Sequence, residues 1–116
     1  MKVSFEGIGE SVVTFYNSST NGAAAGEVVK MSGNGEVAAC AAGDRFFGLA
    51  LSCEGDFAAV QNEGYAVVSY SGPADLSVGF AALSADGKGG VKADENGGEF
   101  LVIEVDTTNK KAGLML

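Results

Sequence analysis

The residues that could do chemistry in this chain are few, and their spacing does not suit it. Asp94-Glu-Asn-Gly-Gly-Glu99 gathers three acids around a glycine turn, as a calcium loop does. An EF-hand loop places its glycine sixth, whereas Gly97 and Gly98 here stand fourth and fifth. The segment reads as a solvated turn. Asp86-Gly-Lys-Gly-Gly90 offers backbone amides and a lysine to an anion, but it lacks the phosphate-loop pattern and no helix follows. It reads as a hairpin turn. Ser11, after Gly7-Ile-Gly-Glu10, is not in the order of a nucleophile elbow.

The two cysteines are the other nucleophiles. Twelve residues separate Cys40 from Cys53, so neither belongs to a C-x-x-C pair. Cys40 lies in Val37-Ala-Ala-Cys-Ala-Ala42, surroundings that suit a small buried hydrophobe. A reactive thiol needs a neighbouring base, and with histidine absent only carboxylates and lysines are available. Both cysteines are expected as free structural thiols, with a disulfide between them left open. A glycosidase pairs its carboxylates beside an aromatic cleft, and a chain with no tryptophan has little to line one. The expectation is a protein without enzymatic activity, with no catalytic residue, no metal ligand set and no cofactor.

Composition points the same way. The absence of histidine removes the Ser-His-Asp triad, the Cys-His pair and the imidazole metal ligand. Seven Lys+Arg against 15 Asp+Glu give a net charge of -8, the wrong sign for nucleic acid or an anionic membrane surface. A length of 116 residues suits one domain with one modest core. The apolar fraction of 47% and charged fraction of 19% are those of a folded chain. Met1-Lys-Val-Ser-Phe-Glu6 has no apolar h-region, and no apolar run reaches the ~20 residues of a membrane helix. The chain is expected to be made in a cytosol and kept or assembled there.

Whatever positions these residues is β-structure. No stretch keeps a helical apolar period free of glycine, while short β-type runs recur between turn residues. Val12–Tyr16, Glu27–Met31, Glu36–Ala41, Phe46–Leu51, Phe57–Gln61, Tyr65–Tyr70, Glu99–Val105 and Ala112–Leu116 all read as strands. Val78–Leu83 reads either as a short strand or as one helical turn. Asn34-Gly35 predicts a type I′ hairpin, with positive φ at both residues. Gly48 and Gly79, inside apolar runs, predict bulges or sharp bends. The fold expected is all-β: one small antiparallel barrel or sandwich, its narrow interior filled by small residues. No internal repeat is visible, and Tyr65 and Tyr70 should face opposite sides of one strand, one in the core and one exposed.

Residues 1–25 stand somewhat apart from the domain expected over 26–116. They hold the β-prone segment Val12–Tyr16 and then a small, polar loop. Such a segment is either an arm that adds a strand to a neighbour's sheet or the first strand of its own barrel. Val12, Val13, Phe15 and Tyr16 are the candidate contact residues for a protein partner.

The order of the runs resembles a known family. Gly26-Glu-Val-Val-Lys30, a short turn, a valine-alanine strand and Gly43-Asp-Arg-Phe-Phe-Gly-Leu-Ala-Leu51 are similar to the lambda-type head decoration proteins of tailed phages and prophages. Val60-Gln-Asn-Glu-Gly-Tyr-Ala-Val-Val68 and the late glycine-rich hairpin before Phe100-Leu-Val-Ile-Glu-Val105 fit the same plan. The likeness covers most of residues 26–116 and rests on run order and glycine placement; residues 1–25 match least. It implies a β-tulip-like domain, a homotrimer, and a place on the exterior of the expanded head. The partners it implies are the major capsid protein and further copies of the chain. The family's N-terminal arm commonly pairs with capsid strands. Two other readings stand beside it: a small-ligand or peptide-binding barrel of a bacterial host, and another phage part such as a head-fibre or tail-tube protein.

Overall fold

A computed structural model describes residues 11–116. Among the described residues the chain forms ten strands and no helix. They are β1 (Ser11–Asn17), β2 (Val28–Gly33), β3 (Glu36–Ala39), β4 (Gly48–Glu54), β5 (Phe57–Glu63), β6 (Tyr65–Ser69), β7 (Gly79–Ala85), β8 (Val91–Ala93), β9 (Gly98–Asp106) and β10 (Lys111–Met115). Strands β1 to β5 close into a barrel in the order β1-β3-β2-β4-β5. One seam of that barrel, β1 with β3, is parallel; the other neighbours are antiparallel. Strands β6 to β10 form a second sheet, ordered β6-β10-β9-β7-β8. The all-β, barrel-forming class expected from the sequence is the class observed, with a second sheet beside the barrel.

The barrel interior is narrow, and small side chains fill it. Ala23, Val29, Val37, Ala50, Ala58 and Val60 are buried together, with Phe15, Phe47 and Cys53 at their margin. A larger cluster joins the two halves. Val28, Phe46 and Leu49 of the barrel half pack in one core with Val68, Tyr70, Leu83, Val102 and Leu114 of the second sheet. Phe46 stacks flat on Phe100 across this junction, with ring centroids 4.7 Å apart. Gln61, buried where the halves join, donates through Nε2 to the carbonyls of Glu63 and Tyr65 at 3.0 and 2.9 Å. Those bonds hold the Gly64 link between the halves.

The two halves repeat one plan, which the sequence does not display. The β1–β5 pairs Val12–Gln61, Val13–Val60, Thr14–Ala59, Phe15–Ala58 and Tyr16–Phe57 recur as Tyr65–Met115, Ala66–Leu114, Val67–Gly113, Val68–Ala112 and Ser69–Lys111. The β4–β5 register, with its bulge at Leu51, recurs in β9–β10 with a bulge at Ile103. Val29–Ala39, Lys30–Ala38 and Met31–Val37 recur as Leu83–Ala93, Ser84–Lys92 and Ala85–Val91. Even the parallel seam returns: Asn17–Val37 corresponds to the single parallel bridge Tyr70–Val91, which brings the edges of the second sheet together.

The cores correspond as well. Ala23, Val29, Val37, Ala50, Ala58 and Val60 take the places of Leu76, Leu83, Val91, Val102, Ala112 and Leu114. The second set is bulkier, which accounts for the looser closure of that half. A period-2 pattern keeps only "apolar inside", so register can persist after side-chain identity has diverged. That is why no repeat shows in the sequence.

Other expectations change in detail. Asn34 does not have positive φ, whereas Gly35 does (+67°), and the register slips by one between Met31 and Gly33. The hairpin therefore closes through a bulge and not a type I′ turn. Gly48 and Gly79 begin strands and do not interrupt them. A Cβ on Gly48 would lie 2.6 Å from Val60 Cγ1 and 2.7 Å from the Gln61 carbonyl oxygen, so close backbone approach requires glycine there. The run at Val78–Leu83 is strand from Gly79 onward. Tyr70 is core, as one of the two tyrosines should be; Tyr65 is half-buried, its ring lying over Gly113.

Candidate interaction surface

The positions with chemical potential are occupied by structural work. Asp94 Oδ2 accepts from the buried Ser84 hydroxyl at 2.8 Å, and Asp94 Oδ1 accepts from the Asn96 amide at 2.9 Å. Its neighbours do not converge on it: among the described residues no group of three or more His, Cys, Asp or Glu could hold a metal ion. Asp86 Oδ1 accepts from the amides of Lys88 and Gly90, and its Oδ2 from the Ser71 hydroxyl. The glycine-rich segment after it is thus a carboxylate-filled hairpin turn.

The cysteines are free and lie in different clusters. Both are half-buried, less enclosed than the alanine-rich surroundings of Cys40 suggest. Burial, with a smaller push from Asp44, raises the Cys40 thiol to about 11. It is protonated at neutral pH and a poor nucleophile. Lys30 lines the same shallow groove of about 440 Å³, with Thr20, Asn21 and Ala41. Its Nζ is 2.6 Å from Asp44 Oδ2, which also accepts from the Ala41 amide.

What the molecule presents instead is apolar side chains on stiff walls. Of the four candidate contact residues, Val12, Val13 and Tyr16 are exposed. Phe15 is not: it turns into the barrel and meets Phe47 edge-on, with centroids 5.8 Å apart. The segment that carries them pairs along its length with β5, and at Tyr16 and Asn17 also with β3. Tyr16 (57% exposed) stacks on Phe57 (49% exposed) across the β1–β5 rung, with centroids 5.0 Å apart. Phe57 follows Gly55 and Asp56 and opens β5, so the turn sets its place.

A second exposed group lies on the other half, where β7 carries Phe80 at 74% exposure just after Val78 at 66%. Neither residue stands out in the sequence. The signal for Phe80 is alternation: counting back from buried Leu83 puts Ala81 inside and Phe80 outside. Met31, at the end of the β2–β3 hairpin, is also exposed. No protein-family model matches the chain, and no curated protein matches it.

Proposed function

We propose that this chain is a head decoration protein of a tailed phage: a non-enzymatic homotrimer that binds the exterior of the expanded capsid and cross-links its subunits. The observation that supports the reading best is the Tyr16–Phe57 stack on the barrel wall. Exposed aromatics held on a rigid sheet give much contact area for little lost entropy, the usual make-up of interface anchors. The contact uses the outward side chains of β1, Val12 and Tyr16, with Phe57. Many copies on a lattice need only modest affinity each. The net charge of -8 keeps unassembled copies apart.

The test is to mix the purified protein with expanded heads that lack a decoration protein, built from the capsid protein encoded beside its gene. Saturable binding and a raised temperature of head disruption are expected. Tyr16→Ala with Phe57→Ala should weaken that binding by about tenfold or more while leaving the fold intact. Heads that bind no protein, or gain no stability from it, would refute the assignment.

A further inference from the structure

The Tyr16–Phe57 stack is the middle of a row that crosses β3, β1, β5 and β4 on the outer wall of the barrel. Glu36 pairs with Tyr16 at one end, and Glu54 pairs with Phe57 at the other. Paired residues share a face of a sheet, and neighbouring strands lie about 4.8 Å apart. Each ring therefore has a carboxylate on the strand beside it. Glu36 is steadied by the Ser32 hydroxyl, which donates to its Oε1 at 2.8 Å, and Glu54 is exposed. Strands β1, β3, β4 and β5 contain no lysine or arginine. Lys30 of β2 is held by Asp44.

Two independent features of this row select the same ligand. The face of an aromatic ring is electron-rich and attracts a cation. A carboxylate at the edge of the ring attracts the same charge. Elsewhere the molecule makes this arrangement with a cation of its own: Lys110 Nζ lies 5.3 Å from the Tyr70 ring centroid and reaches Asp75 Oδ1 at 2.5 Å. The repeat adds a second comparison. The residue in the place of Phe57 is Lys111, opposite Asp106 as Phe57 is opposite Glu54. The second half thus sets a cation against its acid. The barrel wall sets exposed rings there, and among the described residues no cation joins them.

We infer that the partner supplies this cation: the Tyr16–Phe57 wall receives an arginine-bearing segment of a partner protein, its guanidinium against the rings and its N–H groups directed to Glu36 or Glu54. A guanidinium suits the row better than an ammonium. Its plane can lie along a ring while its fork of donors meets a carboxylate at the ring's edge. This rests on the reading of the Tyr16–Phe57 wall as the contact surface and adds the chemistry of what it contacts.

The test follows amide shifts of the full chain by NMR on adding Ac-Gly-Arg-Gly-Arg-Gly-NH2, its lysine analogue, or its citrulline analogue, which keeps the shape without the charge. At up to about 10 mM the arginine peptide should shift the amides of residues 16, 36, 54 and 57 saturably. The lysine peptide should bind more weakly and the citrulline peptide should not bind. Tyr16→Ala with Phe57→Ala should weaken the arginine peptide by about threefold or more, and Glu36→Gln with Glu54→Gln by about twofold or more. Glu99→Gln, an exposed carboxylate on the second sheet, should change nothing; circular dichroism checks that every variant folds. No shift with the arginine peptide overturns the inference. So do equal shifts with either analogue, shifts spread over all the carboxylates, or a folded Glu36→Gln, Glu54→Gln variant that binds as the wild type does. The same variant in the head-binding assay separates the two readings. Heads that take up wild type and variant equally overturn the arginine contact and keep the capsid assignment. Peptide bound at the row, with heads that bind nothing, supports the arginine contact and refutes the assignment.

Discussion

Tyr70 ties the β6–β7 loop to the core through its hydroxyl, which donates to Asp75 Oδ1 at 2.8 Å; Lys110 Nζ reaches the same oxygen at 2.5 Å. The ammonium first and the phenol second hold the Asp75 carboxyl below its usual range. Burial first, and then the bond to Asp75, pushes the Tyr70 phenol up to about 12. The two shifts act at opposite ends of the pH scale. Asp75's contribution is present above the ordinary carboxylate range and is lost as pH falls through its lowered value. Tyr70's contribution is complete below the ordinary phenol value of about 10; it is lost as pH rises from there towards about 12. The urea midpoint of the wild type should therefore drop on an alkaline limb that Tyr70→Phe flattens, with a lower plateau at neutral pH. Parallel profiles for the two proteins would show that the hydroxyl does not matter. Glycines give a second prediction at this scale. Gly48 pairs with Val29 and Gly98 with Leu83. A Cβ on Gly48 would strike Val60 and the Gln61 carbonyl, whereas on Gly98 its nearest neighbour is Phe100 Cε2 at 3.2 Å. Gly48→Ala should cost about 1–3 kcal/mol, and Gly98→Ala distinctly less, compared by denaturant midpoints.

At the scale of elements, the β2–β3 hairpin separates two turn chemistries. In a type I′ turn both Asn34 and Gly35 would need left-handed backbone, and alanine would be costly at each. Here only Gly35 has positive φ. Gly35→Ala should cost about 1 kcal/mol, and Asn34→Ala should stay within about 0.5 kcal/mol; equal losses in urea denaturation would restore the type I′ turn. The example shows where the sequence is legible and where it stops. A dipeptide announces the turn, but the turn's type depends on the bulge beside Gly33, which is set by pairing with β3. Strands are legible wherever a β-branched or aromatic run ends at glycine, as in Glu99–Val105. Which face is buried is legible only where one face is polar. In β1 both faces carry apolar residues, so Val12, Phe15 and Tyr16 look alike until pairing with β5 sends Phe15 inward and Tyr16 outward. Phe80 becomes legible once Gly79 is known to begin a strand and not to bend one.

For the whole molecule, the repeat raises the question of whether its halves are two folding units or one. The tertiary arrangement answers for one. Val28, Phe46 and Leu49 belong to the first half by sequence, yet they are buried in the cluster that forms the core of the second. Removing the barrel would expose Val68, Leu83 and Leu114 on the side where those residues pack. The link adds to this: Gln61 bonds across Gly64 to Tyr65 O, and Leu116 N returns to Gly64 O at 2.9 Å. Nearest-neighbour burial of this kind makes the stability of one repeat depend on the next. Chemical denaturation should therefore give a single transition, with amides of β5 and β10 reporting the same midpoint. Leu49→Ala removes a buried side chain at the junction and should cost about 2–5 kcal/mol. Because that loss falls on both halves, exchange protection should decline to the same extent in β10 as in β5, although Leu49 pairs only within the barrel. A variant that loses protection in β4 and β5 while β10 keeps its own would mean that the two halves fold independently and the shared core couples them only weakly.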